Sequence, residues 1–344
     1  MSKNARKLAV VFIAGALALG GYAWIKRGSL GLGGSSSFAG IAVDGPIADA
    51  QRIYFRYNGV DGNYGKLAYV EPASPGAIHY VENLNCEVAY VGHQRGICMT
   101  AQRGVVTTYT AQIFDAKTFQ ILGENVLKGI PSRTRISPDD RLGAFTVFVT
   151  GHGYTTLDFS TQTLILDMKN GHVLADLENF EVTRDGKVIK AADFNFWGVT
   201  FAHDSNRFFA TLSTAGKHLL IEGNVAEKKA RVLREGVECP SLSPDGRKIA
   251  YKRRLLNEGR IAWQLQVLDL ETQQDSELPE KRSIDDQLEW LDAQTVLYSV
   301  PETLTDETPS TDVWMAALDP NRAPQRLLHK AYSPAVVRAA SPAR

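Results

Sequence analysis

Two patterns of apolar positions divide the chain. From Leu8 to Ile25, 18 residues run without a charge. Wound as a helix they would span about 27 Å, the thickness of a bilayer core. Lys3, Arg6 and Lys7 precede the run, and Tyr22 and Trp24 lie near its far end. That arrangement predicts a signal-anchor with a cytoplasmic start and everything after Ile25 outside. Ala16-Leu17-Ala18 is a small-x-small site inside the run, so a cleaved signal peptide with a secreted product is the alternative. Gly28–Ser37 (GSLGLGGSSS) has the composition of a flexible linker. From Phe38 onward the pattern changes. Short runs of Val, Ile, Tyr, Phe and Thr alternate with clusters of Gly, Asn, Asp and Pro, which predicts strands and turns throughout.

The strand pattern repeats. Glu238–Arg254 (ECPSLSPDGRKIAYKRR) reads as one hairpin turning at Ser243-Pro244-Asp245-Gly246. Pro presets φ, Asp bonds the backbone ahead of it, and Gly accepts φ > 0. Weaker copies turn at His93, Asp139, Asp204 and Asp292, so that successive turns are 46, 65, 41 and 47 residues apart. Intervals of about 40–50 residues suit four-stranded propeller blades. The long interval contains Glu181–Asp193 (EVTRDGKVIKAAD), which reads as an extra hairpin or loop. Ile53–Tyr57, Lys66–Val70 and Ile78–Val81 supply three strands of a sixth blade, and Ala335–Arg338 is expected to supply its fourth. The predicted architecture is all-β: a six-bladed propeller of four-stranded antiparallel blades, preceded by one transmembrane helix. Residues 1–7 read as a cytoplasmic tail, 8–25 as the signal-anchor, 26–38 as the linker and 39–344 as the propeller.

SPDGRKIAY, SPDDRLGAF and their degenerate copies resemble the WD40-like repeats of TolB-like β-propeller proteins, over roughly residues 50–338. The whole chain is similar to the membrane-anchored, actinobacterial type of that family. The resemblance implies the fold and leaves the ligand open. TolB itself is a soluble periplasmic protein with an additional N-terminal α/β domain, so a Tol–Pal role is not expected. Prolyl oligopeptidases share such repeats but add a hydrolase domain, which is not expected here.

Charge narrows the function. Residues 1–27 hold five of the 38 bases and no acid, leaving 33 bases against 38 acids in the body. A mildly acidic body argues against nucleic acid as a partner. No Walker A, GxGxxG, GxSxG or CxxC motif is present. No cofactor and no metal is expected, and the chain reads as a monomer. The turn Asp residues read as caps of their own turns. His152 sits between two glycines and reads as a loop tip. Lys252-Arg253-Arg254 reads as a solvated strand edge.

Three cysteines allow at most one internal disulfide. Cys86 and Cys98, twelve apart in one hairpin, are the candidates, and Cys239 reads as a buried thiol. A five-residue loop would place Cys98 opposite Tyr90, whereas a three-residue loop would place the two cysteines opposite each other. The repeat alignment also brings Glu87, Arg133, Trp197, Glu238, Asp285 and Asp286 to the starts of the innermost strands, around one mouth of the central channel. A polar funnel of internal salt bridges and a ligand site both fit this ring. As a site, its four carboxylates would favour a cationic peptide segment resting on Trp197. The functional expectation is therefore a non-enzymatic binding or scaffold module of the cell envelope, anchored to the membrane, whose partner is an envelope protein or peptide. A lyase or hydrolase of envelope glycans or peptides is the alternative.

Overall fold

The computed structural model describes residues 52–71, 74–150, 159–257, 260–302 and 310–338. The expected tail, anchor and linker, and His152, lie outside them. The described residues form six antiparallel sheets in the order of the repeats. Blade 1 takes Arg52–Tyr57, Lys66–Glu71 and Ser74–Asn85. Blade 2 runs Val88–Val91, Arg95–Gln102, Thr108–Asp115 and Ile121–Leu127. Blade 3 runs Ile130–Ile136, Leu142–Thr150, Ser160–Asp167 and Val173–Asp176. Blade 4 runs Asn195–Phe201, Arg207–Thr214, Lys217–Asn224 and Lys229–Glu235. Blade 5 runs Glu238–Leu242, Lys248–Asn257, Arg260–Asp269 and Asp275–Glu277. Blade 6 runs Glu289–Trp290, Thr295–Glu302, Ser310–Ala317 and Gln325–Leu328.

Ala331–Val337 closes the ring. It pairs antiparallel with Arg52–Tyr57, from Arg52↔Val337 to Tyr57↔Ala331, and so becomes the innermost strand of blade 1. One strand from the end of the chain thus completes three from its beginning, which leaves no open edge between first and last blade. The extra segment is a hairpin, Glu181–Arg184 with Lys187–Ile189, added to the outer edge of blade 4 through a parallel pairing with Lys229–Glu235.

The turn chemistry explains why the repeats fold alike. In blade 5 the Gly246 N–H donates to Ser243 O at 2.9 Å, closing the turn. Asp245 Oδ1 then takes the Arg247 N–H at 3.1 Å, and Ser243 Oγ takes the Lys248 N–H at 2.9 Å. Blade 3 repeats this with Ser137, Asp139, Arg141 and Leu142. The residue that must accept φ > 0 is Gly246 (φ 72°), Asp140 (58°) or Ser205 (49°). A second Asp ends the third strand of several blades: Asp115, Asp167, Asp269 and Asp319 each accept a backbone N–H two residues ahead.

The apolar core lies between the blades. Six clusters straddle the six neighbouring pairs, for example Phe196, Phe208 and Leu142 between blades 3 and 4, or Trp290, Tyr298 and Leu265 between blades 5 and 6. Inner strands are buried on both faces, as in Asn195–Phe201. Outer strands keep only one end covered, as in Ile121–Leu127. The Cys86–Cys98 disulfide is present, with Cα atoms 5.3 Å apart. The hairpin turns over Gly92–Gln94, in a register that pairs Cys98 with Ala89. The Glu87 N–H bonds Met99 O, so Cys86 sits just past the ladder and reaches Cys98 diagonally. Closing a loop of this size contributes about 3 kcal/mol.

Candidate functional site

The inner strands all begin at one mouth of the channel and end at the other, those of blades 3 to 6 at their Asp turns. The six ring residues do lie at the strand-start mouth or beside it, but they are occupied with one another and with the blades. Arg133 of blade 3 reaches Asp285, just before the inner strand of blade 6: its Nη2 is 3.4 Å from Asp285 O and 3.8 Å from Oδ1. Lys252 Nζ also pairs with Asp285 and sits 4.6 Å above the Trp263 ring. Burial would raise the Asp285 carboxyl, but Lys252 and Arg133 outweigh it and hold it below the ordinary carboxylate range.

Glu238 is fully buried and receives Arg254 Nε at 2.6 Å and Trp263 Nε1 at 3.4 Å. His218 Nδ1 lies 3.7 Å from the same carboxylate. Burial holds the His218 imidazole below its usual range, against the pull of Glu238. Glu87 is paired with Arg103 at 2.5 Å and Arg56 at 3.7 Å. Asp286 is buried and accepts the backbone N–H groups of Gln287 at 2.8 Å and Ser299 at 2.9 Å.

Three expectations are corrected here. Trp197 offers no open surface: it is fully buried, with its ring edge-on to Phe159 at 5.4 Å and to His218 at 5.7 Å. The cause is a bulge in the inner strands. Gly198 and Cys239 both take φ > 0 (67° and 50°), and a Cβ on Gly198 would come 2.8 Å from Cys239 Cα. That close approach packs Trp197 with Phe148, Cys239 and Trp263. Lys252 is no solvated edge; it is wholly buried. Among the described residues the mouth is also not an unopposed negative ring, because Arg56, Arg103, Arg133, Lys252 and Arg254 pair with Glu87, Glu238 and Asp285.

Among the described residues an open depression lies at the turn mouth. A cavity of about 280 Å³ is lined by residues of all six blades, which places it on the propeller axis. Its floor is a buried pair, Arg135 Nη1 to Glu289 Oε2 at 2.5 Å, joining blades 3 and 6. Arg135 also donates to Leu288 O and lies 4.8 Å from the Tyr90 ring centre. Tyr90 OH sits 3.4 Å from both Glu289 oxygens. Burial, then the Glu289 charge, pushes the Tyr90 phenol up to about 12, so it remains a donor at neutral pH. Arg338 Nη2 is 3.9 Å from Glu289 Oε1 and donates to Trp290 O. Phe201, Leu242 and Val336 form apolar walls, with His93 and His203 on the rim.

None of these floor residues belonged to the predicted ring. A signal was available: in the alignment Arg135 falls where the other four repeats carry Ala89, Thr200, Ser241 and Leu288. A base in a column of small or apolar residues needs a buried partner. Its partner, Glu289, lies 154 residues away, which no local spacing displays.

Neither a family model nor a curated protein matches the chain. Solved structures do match. TolB from Acinetobacter baumannii aligns with TM-score 0.57 and 16% identity over 83% of this chain. A TolB candidate from Agrobacterium tumefaciens aligns with TM-score 0.50 and 11% identity over 81%. The chain has a TolB-like β-propeller fold. It spans 66% of the length of the Acinetobacter TolB and 88% of the Agrobacterium protein. The TolB-like propeller is also similar to part of a puromycin-hydrolyzing peptidase of Mycobacterium tuberculosis, with TM-score 0.50 and 13% identity over 79% of this chain and 42% of the peptidase.

Proposed function

We propose that this propeller is an extracytoplasmic binding module of the cell envelope, tethered by Leu8–Ile25, which takes a segment of a partner protein into its turn mouth. The observation that carries the reading is the axial depression floored by Arg135, Glu289, Tyr90 and Arg338. Two guanidinium groups against one carboxylate favour an acidic side chain or a chain-terminal carboxylate, with aliphatic contact to Phe201, Leu242 and Val336. This reverses the cationic ligand expected from the ring, because Glu87, Glu238 and Asp285 are paired with bases and Asp286 is held by backbone N–H groups. A second cavity of about 590 Å³ lies between blades 4 and 5 and shares His203 and Leu242 with the first. The two together suit an extended segment running outward from the axis. The Cys86–Cys98 disulfide fits an oxidising compartment.

The chemistry of the rim favours binding over hydrolysis. Ser137 and Ser243 line the cavity, yet each hydroxyl donates to its turn Asp and accepts a backbone N–H, which leaves neither poised as a nucleophile.

The test is a crosslinking pull-down of the full chain from its native envelope, comparing the parent with Arg338→Ala and Tyr90→Phe. Recovery of the parent's partner should fall about tenfold, the equivalent of ~1.4 kcal/mol, in variants whose melting matches the parent. Equal recovery by both variants would move the site elsewhere on the propeller.

A further inference from the structure

The outer rim of the propeller treats its blades unequally. Every blade ends in an edge strand with one row of unpaired backbone groups, a template for another strand unless it is blocked. Blade 4 is covered by Glu181–Arg184. Blade 5 ends in Asp275-Ser276-Glu277, short and polar. Blade 6 turns Leu327 and Leu328 inward. Blade 1 presents His79, Glu82, Asn83 and Asn85.

Blade 3 exposes Val173 and Leu174 but ends in only four residues, Val173–Asp176. Blade 2 is neither covered nor short, and its edge carries one bulge, at Leu122. Ile121–Leu127 is seven residues long and, among the described residues, pairs only with Thr108–Asp115. Ile121, Leu122 and Val126 are exposed, Val126 at 83%. Glu124 is exposed between them, takes one hydrogen bond from Gln112 at 2.8 Å, and has no salt bridge among the described residues. A Cβ added at Gly123 would meet nothing within 4 Å, so the face of the strand at its middle is open.

We propose that the outer edge of blade 2 is a strand-addition site for an extended segment of a partner protein. The segment is aliphatic at alternate positions and places a basic side chain opposite Glu124. Main-chain hydrogen bonds to the free edge would supply affinity, and side chains meeting Leu122, Glu124 and Val126 would supply register. The unpaired carboxylate argues for this occupant. A second copy of the same strand paired about its middle would set Glu124 against Glu124, and like charges directly opposite are destabilising. The site is on the rim and is independent of the axial depression.

The test uses the full chain and two heptapeptide probes at millimolar concentration. Both alternate threonine with valine; one has a central lysine and the other a central glutamate. Amide hydrogen exchange of residues 121–127 is followed with each. The lysine peptide should slow exchange at this edge and bind about fivefold tighter than the glutamate peptide, as a cross-strand charge pair allows. Glu124→Lys, an exposed change that leaves the strand intact, should invert that preference. The proposal fails if neither peptide slows exchange, or if the preference survives the charge reversal. It also fails if residues 121–127 are already protected without peptide, since the edge would then be covered by the chain itself or by a second copy.

Discussion

The two mouths of the channel use the same kinds of residue to opposite ends. At the strand-start mouth, acids and bases from different blades are joined, and an aromatic that looked available is packed beneath them. At the turn mouth, one cross-channel pair forms a floor and leaves space above it. The difference comes from the backbone. Bulges with left-handed residues at Gly198, Cys239 and Ser333 crowd the strand starts. The turns, held by their own Ser and Asp side chains, stand apart around the axis. A ring of charges in a propeller sequence is therefore a poor guide to a ligand site until its partners are known.

The strongest way to break both mouths at once is to remove the strand they share. Truncation after Lys330 deletes Ala331–Val337, which pairs with blade 1 and supplies Val336, Val337 and Arg338 to the turn mouth. Loss should reach at least ~5 kcal/mol, the scale of a domain's whole stability, read as disappearance of a cooperative melting transition. An unchanged melt would mean that closure is made elsewhere.

Single residues at the strand-start mouth should act on stability and not on binding. Trp197→Ala should cost about 3–5 kcal/mol as a cavity in a packed core, measured by denaturant unfolding. Weakened partner binding with parental stability would instead restore Trp197 as a contact residue. Asp285→Asn should cost about 3 kcal/mol, because it strands buried Lys252 and Arg133 beside a neutral group. Its pH dependence follows from the sign of the shift. The folded pKa of Asp285 is depressed, so its contribution is full above the unfolded value of about 3.9 and is lost as pH falls through the lower folded value. The gap between parent and Asp285→Asn should therefore persist at neutral pH and close below about pH 4. A gap independent of pH would assign the loss to packing.

At the turn mouth the balance should reverse. Arg338 is partly exposed and its nearest Glu289 contact is long, so Arg338→Ala should cost under about 1 kcal/mol of stability. A large drop in melting temperature would make Arg338 a structural strap and remove it from the binding account.

The fold was legible because its determinants are local. Ser-Pro-Asp-Gly and its copies fix the turns, and the alternation between them fixes the strands. The terminal closure was legible from an incomplete strand count before Cys86. Glu181–Ile189 was visible as an irregular spacing, but its parallel attachment to blade 4 was not. The site was far less legible. Glu238, Asp285 and Lys252 could each be placed near an inner strand, but their pairing is set by distances between blades that a spacing cannot express. The Lys252 run looked like an edge because its neighbours Arg253 and Arg254 are basic, while the pleat sends Lys252 inward to Asp285 and Trp263. The disulfide stood between these cases: the separation of Cys86 and Cys98 suggested it, and the bend at Glu87 brings the pair together.

Photo-crosslinking from each mouth in turn distinguishes the mouth that binds from the mouth that holds the blades together. A photoreactive residue replaces exposed His203 at the turn mouth in one full-length variant and exposed Arg103 at the strand-start mouth in another, each expressed in its native cells. A discrete partner adduct is expected from position 203 and none from position 103. An adduct from position 103 alone would contradict this and return the binding site to the strand-start mouth.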